Sequence, residues 1–204
     1  MKTIAIVDYG MGNLDSVKRA VEECGGHPIL TNNALDLESA SNIILPGVGA
    51  FTQGMQHILA LGLDEMIKEQ ALIKGIPLLG ICLGMQLLAS VGYEGGQTQG
   101  LGLIAGEVHR FKTNLQERIP HMGWNEINVL KPSPLLKGIS TGSNFYFVHS
   151  YHFICQDENN LLATTDYCGT FASVVGNNNI FGVQFHPEKS QKAGFKLLKN
   201  FFSL

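Results

Sequence analysis

The sequence has few of the features that mark nucleic-acid-binding or membrane proteins. Only 15% of the 204 residues are charged, the net charge is −3, and lysine and arginine form no block. We therefore expect no basic surface for nucleic acid or an anionic membrane. The longest apolar stretch, residues 76–91, is short and is interrupted by proline and glycine. This length and composition argue against a membrane span.

Cysteine is scarce, and its spacing excludes two classes of site. The four cysteines are far apart and form no C-x-x-C pair, so we expect neither a zinc site nor a disulfide framework. No metal or cofactor is predicted. A reducing, cytoplasmic compartment fits this cysteine usage, and the N-terminus shows no signal peptide. The cysteines are Cys24, Cys82, Cys155 and Cys168.

The first half of the chain alternates strand and helix signals. Helical patterns follow the first strand and, over residues 51–74, the third strand, and one further apolar segment, residues 83–91, is predicted as a buried helix. This alternation favours a parallel sheet with right-handed crossovers. The predicted strands are 3–7, 28–30, 42–45 and 76–79.

The second half carries a different pattern. Residues 93–106 are glycine-rich and are predicted as a loop, and a closing helix is expected over 190–202. Antiparallel strands are predicted between them. The sequence thus predicts one α/β domain, residues 1–204, with an open, mostly parallel flavodoxin-like sheet flanked by helices and an antiparallel extension in the C-terminal half. The predicted strands are 126–129, 144–148, 152–155, 161–165, 172–175 and 180–183.

Cys82 stands out because glycine flanks it on both sides, as Gly80-Ile81-Cys82-Leu83-Gly84, between a strand and a helix. This frame is typical of a nucleophile elbow, where a reactive side chain sits on a turn too tight for bulky neighbours. The helix start would favour a thiolate. The alternative is an inert core cysteine, since free cysteine is often buried. A basic side chain elsewhere in the chain that could take the thiol proton would favour the nucleophile over the inert core cysteine.

His186 is the best candidate for that base. It follows a strand, as the elbow does, and Glu188 lies two residues further on. In extended chain this spacing points both side chains to one face, where the carboxylate would orient the imidazole. His27 and His57 lie beside surface signals and are expected to be solvated.

Two glycine-containing turns also follow strands. Residues 46–49 (PGVG) would let a ligand approach the backbone closely, although a plain loop is an equal alternative. Residues 8–13 (DYGMGN) resemble a dinucleotide-binding turn only in part, because the third glycine is missing.

Taken together, these motifs resemble the class I (triad) glutamine amidotransferases. The stretches that carry the resemblance are 46–49 (PGVG), 80–88 (GICLGMQLL) and 182–188 (GVQFHPE). Three more narrow it to the glutaminase subunits of imidazole glycerol phosphate synthases: 9–14 (YGMGNL), 120–125 (PHMGWN) and 146–151 (YFVHSY).

The resemblance implies hydrolysis of L-glutamine to glutamate and ammonia. Cys82 would be the nucleophile, His186 the acid and base, and Glu188 its orienting partner. The N–H groups of Val48 and Leu83 would stabilise the oxyanion. The implied substrate-binding residues are Gly49, Gln86, Glu94, His149, Ser150 and Tyr151.

The resemblance also implies a partner, a (β/α)₈-barrel cyclase that receives the ammonia in a heterodimer. Alternatives remain at this point: a related glutaminase that feeds another synthase, such as one amidating a surface-polysaccharide sugar, or a regulatory subunit without activity. A PfpI-like thiol hydrolase is disfavoured because many of those proteins carry histidine where Leu83 stands. The implied interface residues are Asn13, Trp124, Tyr146 and Lys189.

Overall fold

The computed structural model describes residues 1–112 and 117–204. Its strands, in chain order, are β1 (Thr3–Val7), β2 (His27–Thr31), β3 (Asn42–Leu45), β4 (Leu78–Ile81), β5 (Val91–Gly92), β6 (Thr98–Gln99), β7 (Gly106–Arg110), β8 (His121–Val129), β9 (Ser143–His149), β10 (Tyr151–Cys155), β11 (Leu161–Asp166), β12 (Thr170–Asn177) and β13 (Ile180–Val183).

The helices are α1 (Leu14–Glu23), α2 (Ala34–Ser39), α3 (Phe51–Ala60), α4 (Leu63–Lys68), α5 (Leu83–Leu87) and α6 (Gln191–Phe202). A π-helical turn, Glu69–Ile73, continues α4. Three short 3₁₀ turns lie at Pro134–Leu136, Glu158–Asn160 and Pro187–Lys189. Among the described residues, no helix has both the length and the apolar character needed to cross a membrane.

Nine strands form the main sheet, in the order β2-β1-β3-β4-β13-β12-β11-β8-β9. The first five run parallel, and the remaining strands pair antiparallel. The predicted α/β fold is therefore confirmed, including its antiparallel extension. Because β4 and β13 are parallel neighbours, their carboxyl ends meet at the same edge of the sheet.

Alternating residues of the central strands supply two cores, one on each face of the sheet. Ala5 and Val7 of β1 belong to the core that α3 covers with Phe51 and Met55. Ile4 and Ile6 face the other core, where α1 contributes Val17 and α6 contributes Leu198 among others. Burial on both faces explains why these strands are continuous apolar runs.

The prediction of a helix over residues 83–91 is wrong in its second half. Helix α5 ends at Leu87 because the following segment of chain takes up the backbone carbonyls there. Leu101 N–H donates to Leu87 O, and Leu103 N–H donates to Leu88 O. Val91 then begins β5, a strand of a second sheet in the order β10-β7-β5-β6. The predicted loop 93–106 thus contains strand β6 and the start of β7.

Strand β8 is longer than predicted, since it begins at His121 rather than Glu126. Its register with β9 continues from Ile127 opposite Ser143 to His121 opposite His149. Burial alternates regularly along this stretch, but Met122 and Trp124 are on the exposed side and His121 and Asn125 on the inner side, so the polarity of the sequence does not show the alternation. Helix α2 also escaped prediction because it has only six residues.

Candidate active site

Cys82 occupies the sharp turn between β4 and α5. Its backbone has φ +55° and ψ −107°, a conformation that non-glycine residues rarely adopt and that a surrounding structure must hold in place. The Cys82 N–H donates to Val183 O at 2.8 Å, which ties the turn to β13. The predicted elbow geometry is therefore present, although α5 has only five residues.

The glycine that follows the elbow leaves no room for a side chain. A Cβ placed on Gly84 would collide with the Leu45 carbonyl oxygen at the end of β3. A Cβ on Gly80 would meet the backbone of Gly84 and Met85 at 2.6–2.7 Å. The G-x-C-x-G spacing thus lets α5 start directly against two neighbouring strands.

His186 and Glu188 form a buried pair, with His186 Nδ1 and Glu188 Oε1 2.7 Å apart. Burial lowers the pKa of His186, but the Cys82 sulfur and the Glu188 carboxylate outweigh it and raise the pKa to about 10. Nε2 of His186 has no hydrogen-bond partner among the described residues. The imidazole is therefore anchored through Nδ1, and its other nitrogen remains available for proton transfer.

The sequence argument placed this pair in extended chain, and that local geometry is wrong. Pro187–Lys189 form a 3₁₀ turn, and the turn brings Glu188 back beside His186. Ser190, which sequence reasoning missed as a site residue, fixes the turn. Its Oγ donates to His186 O at 2.6 Å and accepts the Tyr146 N–H at 3.0 Å.

Gln184 is a second residue that the motif analysis missed. It is fully buried, and its Nε2 lies 3.8 Å from the Cys82 sulfur. Its Oε1 accepts from Gln86 Nε2 at 3.1 Å. Gln86 Nε2 also donates to Tyr151 O at 2.9 Å. Both amide hydrogens of Gln86 are used within the protein, which leaves its Oε1 as the atom to meet a ligand.

The N–H groups of Leu83 and Val48, the two expected oxyanion donors, do not point at a common position in this structure. Leu83 N–H already donates to Gly47 O at 3.3 Å. The Gly47–Val48 peptide is trans, so the Val48 N–H points away from that oxygen. Val48 is 42% exposed, and Gly49 has φ +112°, a conformation that favours glycine.

A cavity of about 600 Å³ opens above Cys82. Glu94 at its edge accepts the Phe51 N–H through Oε2 at 2.8 Å, and burial raises the pKa of this carboxyl. All six residues expected to bind substrate line this cavity, together with Val48, Leu83, Cys82 and His186. The six are Gly49, Gln86, Glu94, His149, Ser150 and Tyr151.

Three of the four expected interface residues lie together at the surface, with Trp124 and Lys189 exposed and Tyr146 partly buried. The rings of Trp124 and Tyr146 meet edge to face at 6.1 Å, and Lys189 Nζ lies 5.9 Å above the Tyr146 ring. Trp124 is 49% exposed, and Met122, one pleat away on β8, is 63% exposed. Asn13 is also exposed, and its side chain caps α1 by accepting the Ser16 N–H at 3.4 Å.

Tyr9, in the turn after β1, packs against the loop that carries Val48. Tyr9 is 2% exposed, and its hydroxyl has no hydrogen-bond partner among the described residues. A Cβ on Gly47 would collide with that hydroxyl, so the side chain lies directly under the Val48 loop. Burial raises the pKa of Tyr9. His57, expected to be solvated, is half-buried, with Nδ1 3.0 Å from Tyr9 O.

Comparison with known proteins identifies the family. The family model "Glutamine amidotransferase class-I" matches residues 5–204. The chain is 49% identical over 201 residues to the imidazole glycerol phosphate synthase subunit HisH 1 of Campylobacter jejuni, covering 98% of this chain and 100% of that protein. It is 47% identical over 204 residues to subunit HisH of Moorella thermoacetica, covering 100% and 96%.

Solved structures share the fold at lower identity. PurLQS from Thermotoga maritima has a TM-score of 0.77 at 21% identity, covering 100% of this chain and 99% of that one. The glutaminase domain of CTPS from Trypanosoma brucei, solved with bound acivicin, has a TM-score of 0.68 at 18% identity, covering 100% and 92%. With the cysteine elbow and its buried His–Glu pair, the full-length match places this chain in the class-I glutamine amidotransferase family.

Proposed function

We propose that this chain is the glutaminase subunit of an imidazole glycerol phosphate synthase, in L-histidine biosynthesis. The observation that carries the proposal is the cavity in which Cys82 and His186 meet, with Glu188 behind the imidazole. Full-length similarity to several proteins named as imidazole glycerol phosphate synthase subunits supports the choice of this synthase.

The triad accounts for both halves of glutamine hydrolysis. The Cys82 thiolate attacks the side-chain carboxamide carbon, and the C–N bond breaks as His186 gives its proton to the leaving ammonia. A thioester between Cys82 and the glutamyl group remains. His186 then takes a proton from water, the hydroxide attacks the thioester, and glutamate leaves with the thiolate restored. Glu188 keeps the imidazole oriented throughout.

The oxyanion of each tetrahedral intermediate needs two donors, and the Val48 loop has to move to supply them. Turning the Gly47–Val48 peptide over would release the Leu83 N–H from Gly47 O and aim the Val48 N–H at the same point. Each oxyanion donor contributes about 3 kcal/mol to barrier lowering. We propose that a partner protein makes this change by contacting the exposed Val48 side chain.

The amino acid head of glutamine would lie at the wall opposite the triad. Gln86 Oε1 and the Glu94 carboxylate are acceptors that suit its α-ammonium group. Ser150, Tyr151 and Gly49 offer backbone groups for its carboxylate.

Ammonia released in water would be protonated and lost, so a synthase should receive it directly. We propose a (β/α)₈-barrel cyclase bound over Met122, Trp124, Tyr146 and Lys189, with Asn13 at the edge. Exposed Trp and Tyr are frequent anchors of such interfaces. The four free cysteines of the chain fit a reducing, cytoplasmic compartment for this pair of proteins.

Reconstitution tests the proposal. The chain is mixed with a candidate cyclase and its ribonucleotide substrate, and imidazole glycerol phosphate is followed with glutamine as the only nitrogen source. Product formation at more than 10 times the rate of either protein alone is expected. Glutamine hydrolysis without product would instead favour a glutaminase for another synthase. No hydrolysis with any partner would favour a regulatory subunit.

A further inference from the structure

Two buried histidines connect strand β8 with the wall of the cavity. His121 Nδ1 lies 3.0 Å from His149 Nε2, and His149 Nδ1 lies 2.8 Å from Tyr151 O. On the other side of His121, Nε2 lies 3.3 Å from Asn125 Nδ2. Three hydrogen bonds therefore run in series from β8 to the first residue of β10.

Chemistry fixes the direction of every bond in this series. Tyr151 O can only accept, so His149 carries its hydrogen on Nδ1. Neutral His149 then accepts at Nε2, which requires a hydrogen on Nδ1 of His121. Burial lowers the pKa of His149 to about 3 and that of His121 to about 4, so both rings are neutral near pH 7. Asn125 donates to the remaining nitrogen of His121.

The series of hydrogen bonds ends on the carbonyl oxygen of Tyr151, a residue that lines the cavity. Tyr151 O also accepts from Gln86 Nε2 at 2.9 Å, and Gln86 and Tyr151 both line the cavity. Both ring nitrogens of His149 are engaged within the protein, so neither is free to bond a ligand. His149 therefore contributes by placing its neighbours.

We propose that His121, which lies in the stretch 120–125 but was assigned no role from the sequence, is a positioning residue for glutamine: through His149 it fixes the Tyr151 carbonyl and with it the amide of Gln86. This inference rests on the proposed function, because it takes glutamine as the ligand of the cavity. Without the His121 donor, Nε2 of His149 would lose its partner, and the ring could turn away from Tyr151 O and give up the Nδ1–H form.

The surroundings of His121 suit a conservative test. Its ring stacks on Tyr167 at 4.0 Å and on Phe147 at 4.8 Å between ring centres. The His121→Phe substitution keeps a ring between these two and removes both nitrogens. His152 offers a matched control: it stacks on Phe111 in the same aromatic cluster, and its Nδ1 has no hydrogen-bond partner among the described residues.

The first measurement needs no partner and no turnover. Nitrogen-15 NMR of histidine-labelled chain at pH 7 is expected to show His149 and His121 as neutral Nδ1–H tautomers, with His149 losing that form in His121→Phe and keeping it in His152→Phe. A His149 that is charged, or that carries hydrogen on Nε2 in the unsubstituted chain, would overturn the inference.

The second measurement is calorimetric binding of glutamine to the chain carrying Cys82→Ala, which cannot turn over. Adding His121→Phe is expected to weaken binding five- to tenfold, the effect of one hydrogen bond, while adding His152→Phe changes it less than twofold. His121→Gln, which can still donate an N–H, should recover most of the loss and serves if the Phe variant does not fold. The inference would be overturned if both Phe variants weakened glutamine binding equally, or if neither of them weakened it. Normal binding effects without synthesis in any partner mixture would overturn the proposed function alone.

Discussion

The two sides of the cavity differ in how firmly the structure holds them. On the Cys82 side, the nucleophile's N–H is bonded to β13, Gly84 packs against the end of β3, and His186 is anchored by Glu188 and Ser190. On the Val48 side, two consecutive residues are exposed, and one 3.3 Å hydrogen bond joins Gly47 O to the elbow. That bond occupies a donor the chemistry needs.

On the proposed function, this difference would let a glutaminase with its triad already in place stay inactive until a partner binds. A nucleophile, its base and its orienting carboxylate are all in place, so no large rearrangement has to build them. On the same proposal, what remains to change is the orientation of the Gly47–Val48 peptide, in a loop whose Val48 side chain is exposed. The size of the catalytic loss should then depend on whether a substitution changes the Cys82 side or the Val48 side of the cavity.

Removing the nucleophile should have the largest effect. Cys82→Ala is expected to abolish glutamine-dependent synthesis, because no thioester can form. Added ammonium salt should still support the partner's reaction at its normal rate, since the interface is untouched. The measurement is product formation by the reconstituted pair with each nitrogen source. Glutamine hydrolysis that persists in this variant would exclude the triad assignment.

Removing a donor on the adjustable side should cost less. Val48→Pro deletes the N–H and is expected to lower the partner-stimulated glutaminase rate about 100-fold, as loss of one oxyanion donor does. Val48→Ala keeps the N–H and is the control, with a change below about tenfold from lost side-chain contact. Rates are measured at saturating partner. Similar rates for the two variants would remove the Val48 N–H from the mechanism.

The pH dependence of stability should separate the triad from the His121–His149 pair. His186 has a raised pKa, so its contribution is present below pH 6.5 and is lost as the pH rises towards 10. His121 and His149 have lowered pKa values, so stability falls as the pH drops from 6.5 towards 4. One proton changes the unfolding free energy by at most about 1.4 kcal/mol per pH unit. Urea unfolding at pH 5, 6.5 and 9 measures this, and His186→Gln should flatten only the alkaline side.

The smallest effect is expected under the Val48 loop. Tyr9→Phe removes a buried hydroxyl that has no partner, so the unfolding free energy should stay the same or rise by up to about 1 kcal/mol. Thermal unfolding of the chain alone, compared with Tyr146→Phe beside Trp124 at the surface, provides the measurement. A loss above 1 kcal/mol would mean that the Tyr9 hydroxyl is bonded in solution.

The sequence predicted the parts of this molecule that depend on local pattern. The parallel strands are uninterrupted apolar runs, and the Cys82 elbow needs glycine at fixed positions, so both can be read from a few residues. His186 and Glu188 were paired correctly for an incorrect local reason, since a 3₁₀ turn and not extended chain brings them together.

The parts that escaped depend on contacts between distant segments. Helix α5 ends at Leu87 because residues 101–104 donate hydrogen bonds to the backbone carbonyls at its C-terminal end. No residue near Leu87 in the sequence indicates these bonds. Gln184 and His121 act through partners about 100 and 28 residues away, so their spacing carries no signal. The orientation of the Gly47–Val48 peptide involves a hydrogen bond from Leu83 N–H to Gly47 O, between segments far apart in the sequence, which composition does not determine.

The most direct test of the central claim is the rate of glutamine hydrolysis with and without the partner. We expect a low rate for the chain alone and a rise of at least about 100-fold when the cyclase and its ligand are bound, because the second oxyanion donor then faces the cavity. Equal rates in the two conditions would contradict it, since the Val48 loop would already be in its active arrangement.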